Sequence, residues 1–130
     1  MSQAVTPYVL YADAEAALDF LTRAFGFEEV DRQRGSEGDV THAEMRIGAG
    51  RIYLGNPGPG YRNPLELGAD SVLVCVDVED VDSHCDRARQ AGAEIRSEPE
   101  AQPYGERRYE AADPEGHRWF FSQPAPGRGV

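Results

Sequence analysis

Basic residues are scarce in this 130-residue sequence: 13 Lys and Arg stand against 23 Asp and Glu, a formal net charge of -10. Such a balance repels phosphate backbones and anionic membrane surfaces, which excludes nucleic acid and lipid bilayers as expected partners. No apolar run approaches the roughly 20 residues that span a bilayer. Residues 1–6 (MSQAVT) lack the charged and apolar regions of a secretory signal, so a cytoplasmic location is expected. Cysteine is almost missing. Cys75 falls in an apolar strand pattern and Cys85 in a helical one, without a CxxC or Cys/His zinc spacing, and both read as buried, reduced thiols. There is no GxSxG elbow, Walker loop or GxGxxG; the GPG at 58–60 follows no strand-to-helix turn. No catalytic residue is assigned. The length allows one domain with one core.

What the chain does contain is written twice. Residues 6–11 (TPYVLY) read as a short strand, and 14–25 as a helix with Ala14, Ala17, Leu18, Leu21 and Phe25 on one stripe, closed by Gly26. An extended stretch at 27–32, a strand at 41–47, a turn at 48–50 and a strand at 51–54 follow. The second half repeats this order: strand 71–76 (SVLVCV), helix 78–91 with Val81, Cys85 and Ala88 inward, Gly92 as its stop, an extended 94–97, strand 107–112, turn 113–116 and strand 118–122. Thr6 and Ser71, Gly26 and Gly92, and Tyr53 and Phe120 are separated by 65, 66 and 67 residues, the drift expected of a duplicated module with small loop changes. The fold class predicted is α+β: two tandem βαβββ modules at 5–55 and 71–123, joined by a Gly- and Pro-rich linker at 56–70, with a loose tail at 124–130.

Strand alternation assigns faces. Val72, Val74 and Val76 are expected against the helix, leaving Ser71, Leu73 and Cys75 opposite. Thr6, Tyr8 and Leu10 face away from the first helix, as do His42, Glu44 and Arg46 once Ala43, Met45 and Ile47 join the core. Glu44 beside Arg46 reads as a same-face salt pair rather than a general base with an electrophilic partner. Trp119 falls with the core parity, together with His117 and Phe121; His84 reads as a solvated or half-buried helix residue. Two such sheets set edge to edge would curl around a shared cavity, within one chain or across a swapped dimer.

The stretches DAEAALDFLTRAFGF and VEDVDSHCDRARQAGA, which open the two halves, and YGERRYEAADPEGHRWFF, which closes the second, resemble the vicinal oxygen chelate superfamily. That superfamily comprises glyoxalase I, extradiol dioxygenases, fosfomycin-resistance enzymes and bleomycin-resistance proteins. The resemblance spans about residues 5–123 and is specific for fold rather than activity, because one fold hosts many chemistries. In metal-using members, His, Gln or Glu ligands stand on the cavity side of the first and last strand of each module. Carried over, those positions are Thr6, Tyr53, Ser71 and Phe120, none of them a usable donor for a divalent ion. Phe120 is the most telling, since the resemblance implies a glutamate after the DPxGH turn. His42 and Glu44 form the only displaced pair sharing a face.

With no metal or other cofactor expected, the resemblance implies a cleft lined by Tyr8, Tyr53, Leu73 and Phe120, with His42, Glu44 and Arg46 as polar points and Tyr104 and Arg108 at its rim. Aromatic faces with a few polar groups suit a planar or amphipathic small molecule. The expected function is metal-independent small-molecule binding by a homodimer, with sequestration of an antibiotic in resistance or self-protection. The acidic balance would suit a cationic or peptide-like drug. The alternatives are a divalent-metal lyase, transferase or dioxygenase using His42 and Glu44, and a structural dimer whose own side chains fill the cavity.

Overall fold

The computed structural model describes residues 3–124, so the tail expected at 124–130 lies, beyond Pro124, outside the described residues. The first module contains β1 (Tyr8–Leu10), α1 (Ala14–Phe20), β2 (Glu28–Arg34), β3 (Val40–Ile47) and β4 (Gly50–Gly55). The second contains β5 (Leu73–Asp77), α3 (Val81–Gln90), β6 (Glu94–Ala101), β7 (Arg107–Ala112) and β8 (Arg118–Gln123). Between them a single helical turn, α2 (Pro64–Leu67), is closed by a capping box in which Asn63 and Glu66 satisfy each other's backbone amides. The sheets have orders β1-β4-β3-β2 and β5-β8-β7-β6, each with one parallel pair, β1 with β4 and β5 with β8. The same topology thus occurs twice, as the duplication requires.

The helices form where the apolar stripe and a cap coincide. Asp13 accepts the Ala16 amide at the start of α1, and Asp80 accepts that of Ser83 at the start of α3. α1 then widens into a π-helical turn, Leu21–Phe25, which places Leu21, Ala24 and Phe25 wholly in the core. Gly26 ends it at φ 81°, where a Cβ would approach the Arg87 guanidinium to 3.1 Å. That contact reflects a cap supplied from the other module. Arg87 on α3 donates to the carbonyls of Arg23 and Thr22, both at 3.0 Å, and His84 Nε2 donates to that of Phe25 at 2.9 Å. Cationic and N–H groups at a helix C-terminus satisfy carbonyls that have no partner within the helix.

A single core joins the modules. Phe25 meets Phe121 at 4.6 Å and Trp119 at 5.6 Å between ring centroids, and Trp119 meets Phe27 at 5.7 Å. Val81, Cys85 and Ala88 face inward from α3, and Ala43 and Met45 from β3, as their spacing predicts. Two residues depart from the pattern. Val72 is 73% exposed because β5 begins at Leu73, two residues after the expected start, and Cys75 is exposed because it occupies the outer face of a sheet-edge strand; only Cys85 is a buried thiol.

The DPEGH turn is a structural junction. The buried Asp113 carboxylate accepts the Tyr11 hydroxyl at 2.6 Å, the Trp119 indole N–H at 3.1 Å and the amides of Glu115 and His117 at 3.1 and 3.0 Å. Glu115 reaches across to accept the amides of Ala12 and Asp13, at 2.7 and 2.9 Å, and the Asn63 side chain at 3.1 Å. Gly116 has φ 91°, and a Cβ there would sit 2.9 Å from the Leu65 amide nitrogen. Burial, and next the Asp113 charge, raise the Tyr11 phenol well above its ordinary pKa, which keeps it a donor.

Two predictions follow from these junctions. Asp113→Ala leaves two buried donors without acceptors and is expected to lower unfolding stability in urea by about 3 kcal/mol, whereas Glu28→Gln on the exposed surface changes it by less than about 0.5 kcal/mol. His84, held between the Phe25 carbonyl and the Tyr109 hydroxyl (2.6 Å), has its pKa lowered chiefly by burial, with Arg87 adding to the effect against the Phe25 hydrogen bond. The unfolded chain therefore binds a proton more readily, so stability should fall as pH drops through and below the ordinary histidine value of 6.5. Urea melts of wild type and His84→Gln across pH 7.5 to 5 should differ in that slope, the variant being the flatter.

Candidate functional site

Alternation places the non-core side chains of each sheet on one outer face. On the first sheet, Tyr8, His42 and Tyr53 form an aromatic triad with centroid separations of 5.5 Å (Tyr8–His42), 5.8 Å (Tyr8–Tyr53) and 5.4 Å (His42–Tyr53). The Tyr8 hydroxyl is 2.8 Å from His42 Nδ1. Gly55 makes this approach feasible, since a Cβ there would lie 2.7 Å from the Tyr8 hydroxyl. Beside the triad, Glu44 pairs with Arg51 at 3.3 Å. The expected Glu44–Arg46 pair is not formed: Arg46 pairs across to Glu28 on β2 at 3.2 Å. On a twisted sheet the neighbouring strand offers a better partner than a residue two positions along the same strand.

On the second sheet, Phe120 lies beneath two guanidinium groups, Arg108 at 4.6 Å and Arg118 at 5.8 Å from the ring centroid. Arg118 is held by Glu110 at 3.0 Å and Asp70 at 3.6 Å. Arg108 donates to the Tyr104 hydroxyl and the Gln102 side-chain oxygen, both at 3.3 Å, and the Tyr104 hydroxyl donates to Glu106 at 3.2 Å. Leu73 is half-buried in β5, opposite Arg118, and Cys75 stands opposite Phe120. Burial raises the Cys75 thiol above its ordinary pKa, against the nearby Arg108, so it is a poor thiolate.

The residues expected to form one cleft therefore gather in two groups, each bonded within its own sheet: Tyr8, His42, Glu44, Arg46 and Tyr53 on the first, and Leu73, Tyr104, Arg108 and Phe120 on the second. Among the described residues the sheets do not close into a barrel, so the cavity expected between them is not enclosed within the chain. Residues of and beside the edge strands β1 and β5 line two clefts, of about 380 and 400 Å³, with Pro7 and Val74 lining both. Arg51, Arg118 and Glu110 belong to the same faces and were not singled out from sequence, whereas Cys75, placed there by alternation, is exposed rather than the buried thiol expected. Parity alone marks Arg118, but only the register shows Glu110 opposite Phe120 and brings Arg51 to Glu44.

The positions at which a metal is implied can be tested directly. β1 and β5 start at Tyr8 and Leu73, so the Cα partners of Tyr53 and Phe120 are Tyr8 and Cys75, and Thr6 and Ser71 precede the strands. A phenol beside a phenol, and a protonated thiol beside a phenyl ring, do not fit a divalent ion. Among the described residues, no three of His, Cys, Asp and Glu gather to hold one. His42 and Glu44, the displaced pair, are engaged by Tyr8 and Arg51.

The profile of the Glyoxalase/Bleomycin resistance protein/Dioxygenase superfamily matches residues 5–121. An uncharacterized protein of Mycobacterium bovis is 35% identical over 126 residues, covering 93% of this chain and 83% of that one. The crystal structure of TioX from Micromonospora sp. ML1 superposes with a TM-score of 0.76 at 34% identity, covering 95% of this chain and 97% of that one. A glyoxalase-related enzyme from Fulvimarina pelagi, at 20% identity and a TM-score of 0.71 over 95% of this chain and 89% of that one, shares the fold.

The accessibility of the second face gives a direct prediction. One thiol per folded chain, Cys75, should react with a disulfide reagent such as DTNB, and two in denaturant. Cys75→Ser should abolish the fast reaction, whereas two fast-reacting thiols in the native protein would contradict the burial of Cys85.

Proposed function

Because the chain belongs to the glyoxalase/bleomycin resistance protein/dioxygenase superfamily, we propose that its two aromatic faces bind a planar or amphipathic small molecule without a metal, and that this binding sequesters an antibiotic or peptide-like drug in resistance or self-protection. One observation carries the reading. Two of the four positions that would hold an ion in a metal-using relative, Tyr53 and Phe120, carry rings instead, and these are left accessible: both are only half-buried, and Tyr8 beside Tyr53 is 49% exposed. Stacking on such a ring contributes about 0.5–1.5 kcal/mol beyond the area it buries. Several contacts of this kind, together with the apolar area they bury, suffice for micromolar affinity. On this reading the protein is a cytoplasmic homodimer, in which the faces of one copy enclose the ligand against those of another.

Titration of the protein's intrinsic fluorescence with a panel of aromatic and peptide antibiotics, bleomycin included, tests the proposal. Saturable quenching is expected, unchanged after dialysis against EDTA, with Tyr53→Ala and Phe120→Ala each weakening affinity about tenfold, or about 1.4 kcal/mol. Silence across the panel would leave the rings as mere filler. Binding that EDTA abolishes and zinc, nickel, manganese or iron restores would favour a metal-dependent enzyme of the superfamily.

A further inference from the structure

The duplication allows each residue of one face to be set against its counterpart on the other. Glu44 is the Cα partner of Tyr53, and Glu110 that of Phe120. Arg51 and Arg118 precede those rings by two residues, and each pairs with its own glutamate, at 3.3 and 3.0 Å. The ring, the acid and the base are thus common to both faces, and each charge of the pair is answered within its face. Around that common set the faces diverge: Tyr8 and His42 on the first become Cys75 and Arg108 on the second, and Arg46 becomes Ala112. Where the first face places an imidazole hydrogen-bonded to a phenol, the second places a guanidinium over a phenyl ring.

Arg108 is also unlike the other cations of these faces. Arg46, Arg51 and Arg118 are each within 4 Å of a carboxylate. Arg108 has only neutral hydrogen-bond partners among the described residues, Tyr104 and Gln102, both at a long 3.3 Å. Its guanidinium carbon lies over the Phe120 ring, 4.6 Å from the centroid, while N–H groups remain available to a newcomer. A guanidinium stacked in this way offers a flat surface for a second ring and a fork that matches a carboxylate. The net charge of -10 acts in the opposite sense, but it is spread over the molecule and screened beyond about 8 Å at physiological ionic strength. At contact distance the local charge decides.

We propose that Arg108 makes the second face selective for a planar aromatic ring bearing a carboxylate, the carboxylate taking the N–H groups now shared with Tyr104 and Gln102 and the ring lying against the guanidinium that covers Phe120. This rests on the small-molecule-binding reading above and reverses the cationic preference that the overall charge would suggest. The test compares three probes of one ring and different charge, 2-naphthoate, 2-naphthamide and 2-naphthylmethylammonium, by calorimetry on the full chain at pH 7.5.

The expected result is that naphthoate binds about tenfold more tightly than the amide, and the ammonium most weakly. In Arg108→Gln, shown to be folded by an unchanged melting temperature, naphthoate and amide should bind within about twofold of each other. Arg108→Lys, which keeps the charge and loses the planar fork, should retain part of the preference. Naphthoate should also slow the reaction of Cys75, across from Phe120, with DTNB. Equal binding of acid and amide by the wild type, or a preference that survives Arg108→Gln, overturns the assignment to Arg108 and leaves small-molecule binding intact. Absence of saturable binding by all three overturns both.

Discussion

The carboxylate of Asp113 is the point on which the two modules depend. It is a buried charge, and such a group is tolerated only when hydrogen bonds replace the water it has lost. Four donors do so: two amides of its own turn, the Tyr11 hydroxyl from the end of the first module's opening strand, and the Trp119 indole from the second module's closing strand. One oxygen binds the turn, and the other joins residues 102 and 6 positions away. Glu115, in the same turn, extends the junction to the start of α1 and to the linker. β1 and β8 are therefore held in fixed relation, and with them Tyr8 and Phe120, the rings of the two outer faces.

The second junction works from the opposite end of the first helix. His84 and Arg87 on α3 take up the carbonyls that the π-helical turn leaves without partners. Packing of α3 against that turn, with Phe25 between Trp119 and Phe121, uses the inner surfaces of both modules for one another. Helix, cap and core thus occupy one side of each sheet. The rings and charges on the other side are relieved of a packing role, which is why they are available for recognition.

Much of this arrangement was legible in the sequence because it depends on period. The 3.6-residue stripe of residues 14–25, the inward Val81, Cys85 and Ala88, and the alternation in β3 and β8 are local properties, and the near-constant offset between halves shows the repeated topology. What was not legible depends on where a strand starts or on partners distant in sequence. Val72 follows the apolar alternation yet precedes β5, and Cys75 follows the buried habit of its residue type yet lies on an open edge. Glu44 has Arg46 two residues away, but the twist directs it to Arg51 on the next strand. The DPEGH stretch reads from sequence only as a turn, and its polar side chains are used by contacts over more than a hundred residues.

The open faces also account for why two copies of a module differ where they do. The Glu44–Arg51 pair is exposed enough that it contributes little to stability, the Glu110–Arg118 pair is part-buried, and each cancels its own charge. Repeating that pair keeps both faces neutral at their centres, so any selectivity must come from positions at which the copies diverge. Replacement of the Tyr8–His42 hydrogen bond by Cys75 and Arg108 removes a ring and introduces a cation whose direct hydrogen-bond partners, Tyr104 and Gln102, are neutral. A duplicated scaffold can make such a change on one face without disturbing the other, because the junctions that stabilise the fold lie on the far side of both sheets.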